Sequence, residues 1–110
     1  MRTIHKYPVK LNSTPGHPRI TIEMPEDACV LTVQTQYAGD LEREMPCVWA
    51  MVDTTRPMKK HGFYLFGTGH QMETSGTTRY IGSFQLEGGR FVFHLFEEDE
   101  DLYRRKIKPV

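Results

Sequence analysis

No run of apolar residues in the chain approaches the roughly 18 that a membrane-crossing helix needs, so no membrane partner is expected. Its opening, "MRTIHKYPVK", lacks the apolar stretch of a signal peptide, and a cytoplasmic location is the corresponding expectation. Charge of one sign is missing too. The 14 basic and 14 acidic residues cancel, which leaves no bulk attraction to nucleic acid or to anionic lipid. Cysteine is scarce: Cys29 and Cys47 lie in the apolar segments "ACVLTV" and "PCVWAMV", and in a reducing compartment both are expected to act as small core residues rather than as a disulfide.

Helical periodicity is also lacking. Apolar residues alternate with polar ones over short windows, the period of a strand, and nowhere keep helical spacing over a full window of about 11 residues. In "RITIEM", Ile20, Ile22 and Met24 share one face. In "CVLTVQTQY" the same rhythm assigns Cys29, Leu31, Val33 and Tyr37 to one face and Thr32, Gln34 and Gln36 to the other. Pro8 removes a donor from "TIHKYPVKL" and places that strand at a sheet edge. "CVWAMVD" is nearly all apolar, as in a strand covered on both faces, and marks the centre of the core.

"HGFYLFGTG" is an aromatic strand, and "RYIGSFQL" and "RFVFHLF" form a hairpin whose "EGGR" turn uses the positive φ open to Gly88 and Gly89. One helical turn is expected in "AGDLERE", capped by Asp40. A chain of 110 residues supports one core. The expectation is an all-β, single-domain antiparallel sandwich or small barrel of about seven strands with at most one short helical turn. The compact domain is placed at residues 1–97. Residues 98–110 form a charged extension, since the like charges of "EEDED" resist packing and "YRRKIK" reverses the sign.

Chemistry concentrates in "FGTGHQM". Walker and dinucleotide loops need further glycines and a helix start, and neither pattern is completed, so no helix dipole backs an anion here. The loop at the end of a strand is still a natural place for binding residues. For a nucleotide ligand, Gly67, Thr68, Gly69 and His70 are the expected phosphate contacts, with Arg79 and Tyr80 of "TTRYIGSF" beside them as a stacking pair; "YRR" (Tyr103, Arg104, Arg105) is the other place where an aromatic meets cations.

His5, His17, His61 and His94 show no metal-ligand spacing, so no metal and no cofactor are expected. His94 is expected to be half-buried and satisfied by a backbone carbonyl. Ser83 sits within a strand, and neither cysteine has a base beside it in the sequence, so no catalytic residue is assigned.

Read in order, "TIHKYPV", "TIEMPEDACVLTVQTQ", "CVWAMVD", "FYLFGTGHQM" and "YIGSFQL…RFVFHLFE" resemble a small family of proteins of unknown activity encoded by tailed phages and by bacteria carrying prophages. The resemblance runs from about Thr3 to Glu97. It implies a compact β domain made inside the infected cell and transfers no catalytic residue. The segments "YAGDLEREM" and "EDEDLYRRKIKPV" depart from the family pattern.

Together these features point to a non-enzymatic binding protein, a host-takeover or anti-defence factor that sequesters a small nucleotide signal or blocks a host protein. A homo-oligomer would suit that role. The alternatives are a structural or accessory virion protein and, with less support, a small phosphodiesterase built on His70 and an acid such as Asp53.

Overall fold

The computed structural model describes residues 1–11, 18–37, 44–74 and 77–99, with the side chain of Tyr37 outside the description. Seven strands follow in chain order: β1 (Arg2–Pro8), β2 (Arg19–Pro25), β3 (Cys29–Tyr37), β4 (Glu44–Asp53), β5 (Met58–Gly67), β6 (Thr78–Leu86) and β7 (Phe91–Glu98). They form two antiparallel sheets, β1-β4-β3 and β2-β5-β7-β6, packed as a sandwich. Among the described residues no helix is long and apolar enough to cross a membrane.

The core lies between the sheets. Val30, Val33, Val48, Ala50 and Val52 face Ile22, Met24, Phe63, Phe84 and Leu95. Burying each of these side chains other than Ala50 contributes roughly 1.5–3 kcal/mol, which is what holds the two layers together. The layers also meet at one side. Thr35 donates its hydroxyl proton to the Gln85 carbonyl at 2.7 Å, and a Cβ on Gly82 would stand 3.1 Å from Val33 Cγ1. β3 and β6 therefore close that flank of the sandwich.

β1 is an edge strand, as Pro8 required, and β4 is central to its sheet. The hairpin forms as expected, with Gly88 at φ 66° and Gly89 at φ 94° in a single 3-10 turn, Glu87–Gly89. The helical turn expected in "AGDLERE" falls mostly on residues outside the description. Its last residue, Glu44, opens β4.

Other expectations are corrected. A bulge between Val30 and Thr32 resets the alternation of β3, so Val30 and Val33 point inward while Cys29 and Leu31 are exposed. Cys29 is not a core residue; Cys47 is fully buried. β4 is fully covered on its inner face and only partly on the other, where Cys47 is buried but Trp49 and Met51 are half-buried. β5 begins earlier than the aromatic segment "HGFYLFGTG", with Met58, Lys59 and Lys60 already in the strand. The acidic run does not trail free at its start: Glu97 and Glu98 are in β7, where Glu97 accepts from Arg79 at 2.9 Å and Glu98 from Arg19 at 2.6 and 3.0 Å. The remainder of the charged extension, from residue 100 on, lies outside the described residues.

Candidate functional site

Alternation along β5, β6 and β7 sends a second set of side chains to the face of the four-stranded sheet that points away from the core. Tyr64 stands opposite Phe96, Phe66 opposite His94, Tyr80 opposite Phe96 and Ser83 opposite His94. The rings touch in series. Tyr64 and Phe66 are parallel with centroids 6.2 Å apart, Phe66 meets Phe96 edge-on at 6.0 Å, and Tyr80 leans on Phe96 at 5.4 Å. Such pairs add to the area they bury. Tyr64 and Phe66 are each only 4% exposed, whereas Tyr80 keeps 56% of its surface in solvent.

β5 ends in the loop that carries the candidate motif. The His70 amide donates to the Gly67 carbonyl at 3.1 Å, Gly69 takes φ 86°, and the Thr68 amide donates to the Val92 carbonyl at 3.2 Å. This turn folds the His70 ring back over Gly67, where a Cβ would lie 2.8 Å from the ring's Cε1. A side chain at residue 67 would push the exposed His70 ring off this position. The loop and the aromatic face enclose an open cavity of about 380 Å³, lined among others by Phe66, Thr68, His70, Met72, Tyr80 and His94.

A chain of four polar groups crosses the cavity. Thr68 Oγ1 lies 2.7 Å from His94 Nε2, His94 Nδ1 lies 2.6 Å from Ser83 Oγ, and Ser83 Oγ lies 2.6 Å from the Tyr80 hydroxyl. Each hydroxyl both gives and takes a proton, so a neutral His94 with either nitrogen protonated completes the chain. The expectation of a backbone carbonyl on His94 is thereby corrected: two side-chain hydroxyls hold the ring.

Five of the six residues singled out from the sequence meet here: Gly67, Thr68, Gly69, His70 and Tyr80. Arg79 does not. Neighbouring residues of a strand point to opposite faces, and Arg79 pairs with Glu97 on the other side of the sheet. Ser83, His94, Phe66, Phe96 and Met72 complete the lining and were missed.

Asp53, the suggested partner of His70, lies in a different cavity with Arg2, Asp27, Met51 and Arg56. Its carboxylate accepts from the Thr55 hydroxyl at 2.6 Å, the Thr55 amide at 3.0 Å and the N-terminal ammonium at 3.2 Å. These bonds, the Thr55 hydroxyl foremost, hold its pKa down at about 2. A third cavity, of about 330 Å³, is walled by charges, but its main members are engaged: Arg56 pairs with Asp27 at 2.8 Å and Glu98 with Arg19. Among the described residues no group of three or more His, Cys, Asp or Glu side chains is placed to hold a metal ion.

A family model matches residues 1–105, a span that contains both sheets and the whole of the cavity. The chain belongs to DUF7352, a domain of unknown function. No curated protein and no solved structure matches it. Among the described residues of this DUF7352 chain, apolar walls and convergent polar groups coincide at the aromatic face and the loop after β5, which is the usual composition of a small-molecule site.

Proposed function

We propose that this chain is a non-enzymatic binding protein that takes up a small nucleotide in the cavity between the Gly67–His70 loop and the outer face of β6 and β7. The observation that carries the reading is the conjunction of an exposed, tilted Tyr80 ring with a fixed chain of hydroxyls and imidazole at its foot. A planar heteroaromatic group stacks on such a ring and bonds to such a chain. A non-catalytic role is favoured because a threonine hydroxyl stands at the His94 nitrogen remote from Ser83, where a serine–histidine nucleophile pair relies on a carboxylate to balance the imidazolium.

The resemblance to proteins of tailed phages and prophages adds the setting: a factor made in the cytoplasm of an infected cell, where removing a signalling nucleotide would serve takeover or blunt a defence. A thermal-shift panel of mononucleotides and cyclic dinucleotides tests the reading, because a ligand bound only by the native state must raise the melting temperature. A rise of several degrees with a nucleotide is expected. A flat response across the panel refutes it.

One observation favours a second reading, a protein partner. The open face of the three-stranded sheet carries Ile4 at 57% and Leu31 at 47% exposure beside half-buried Trp49 and Met51. Such a patch suits a docking surface, whether for a host protein or a second copy. Light scattering that gives the mass of a monomer excludes self-association as its use.

A further inference from the structure

We infer, resting on the nucleotide reading above, that the site recognises the base and leaves the phosphates in solvent. Three features of the cavity lead there. Among the described residues its lining contains no lysine or arginine, since the nearby Arg79 is turned through the sheet to Glu97. The amides of Thr68 and His70, which a phosphate-cradling loop would aim at the anion, are spent on the carbonyls of Val92 and Gly67. What faces the ligand instead, among the described residues, is a ring surface with hydroxyl and imidazole groups. An anion gains little from such a lining, whereas an uncharged planar heterocycle can both stack and hydrogen-bond.

The polar chain sets the pattern of that recognition. If Tyr80 donates toward Ser83 and Ser83 toward His94 Nδ1, then His94 Nε2 donates to Thr68 and the Thr68 proton is free for the ligand. If all protons reverse, Thr68 becomes the accepting end and Tyr80 the donating end. With one proton on the His94 ring, the two termini therefore offer one donor and one acceptor, in either order. This matches heterocycles that carry both kinds of group and lets one site accept more than one base. At about 380 Å³ the cavity is near the lower limit for ligand pockets, roughly 300–1,000 Å³, and suits a single base with its sugar.

Calorimetric titration of the whole chain with adenosine, guanosine, cytidine and uridine, with their 5′-monophosphates, and with pyrophosphate alone tests the inference. The nucleoside that binds best is expected to match its monophosphate within about threefold, pyrophosphate to give no heat, and affinity to change little with salt. Tyr80→Ala should weaken binding about tenfold or more, and Arg79→Ala should leave it unchanged, both proteins having first shown a cooperative melt. Binding or competition by pyrophosphate, a monophosphate preferred tenfold over its nucleoside, or loss of affinity in Arg79→Ala overturns base recognition while leaving nucleotide binding standing. No binding by any nucleoside or monophosphate overturns base recognition, and a flat thermal-shift response that includes the cyclic dinucleotides overturns both.

Discussion

The carboxylate of Glu98 occupies the space above Gly62 that a side chain there would fill, and from that position it takes two hydrogen bonds from Arg19 at 2.6 and 3.0 Å. The arrangement ties the end of β7 to the start of β2 across the bare backbone of β5. Arg19 also lowers the Glu98 pKa, chiefly through its hydrogen bond. Gly62→Ala should therefore destabilise the protein by about 1 kcal/mol through overpacking. In a Glu98→Ala background the carboxylate is gone, and the Arg19 guanidinium, whose Nη2 also lies 2.7 Å from the Cβ position, loses its anchor and can swing into solvent. The same change should then instead stabilise by about 0.5 kcal/mol, because alanine is the better strand residue. Denaturant midpoints of the four proteins check the reversal of sign. Equal shifts in both backgrounds would show that the carboxylate does not sit over the glycine.

Asp53 should contribute to the acid response. Its folded pKa of about 2 lies below the ordinary aspartate value near 4, so its stabilising effect is complete above about pH 4 and disappears as the pH falls through about 2. Melting temperatures of the native sequence and of Asp53→Asn are expected to differ most near neutral pH and to converge near pH 2. A gap that stays constant over this range would contradict the assignment.

The two cysteines should separate by reactivity. Cys29 is exposed, whereas Cys47 is buried, has its thiol pKa raised by desolvation, and sits 3.6 Å from the Met45 carbonyl. A thiol reagent is expected to modify one cysteine quickly in the native protein and the second only on unfolding. Two fast thiols, or none, would be inconsistent with this burial.

Core truncation and surface truncation should differ sharply. Phe63 is completely buried, and Phe63→Ala should cost about 3–5 kcal/mol, a large share of the roughly 5–15 kcal/mol that holds a domain folded. Phe91 is 45% exposed, and Phe91→Ala should change stability by no more than about 0.5 kcal/mol. Urea unfolding of both variants makes the comparison.

Much of this architecture was legible in the residues because alternation dictates which side chains a strand can bury. It failed at β3 for a local reason. One extra residue between Val30 and Thr32 flips the phase, and nothing in "CVLTVQTQY" announces it, since either phase offers apolar side chains. The site was half legible. The Gly67–His70 loop stood out through its glycines, but pairing Arg79 with Tyr80 ignored the same alternation that defines the strands. Ser83 and His94 were within reach: counting outward from the "EGGR" turn, Leu86 faces Phe91, Gln85 faces Val92, Phe84 faces Phe93 and Ser83 faces His94. Phe66 depends on the register of β5 against β7, which no local pattern reveals.

That hairpin register bears on how the molecule comes together. Ser83 and His94 are 11 positions apart and Tyr80 is three before Ser83, so one short loop closure suffices to bring these partners into line. Thr68 and Phe66 arrive by a longer excursion of the chain, when β5 docks on β7. The polar relay thus joins a locally encoded half to a half supplied by a distant part of the chain, and a ligand spanning both would clasp the hairpin to β5 and the loop after it.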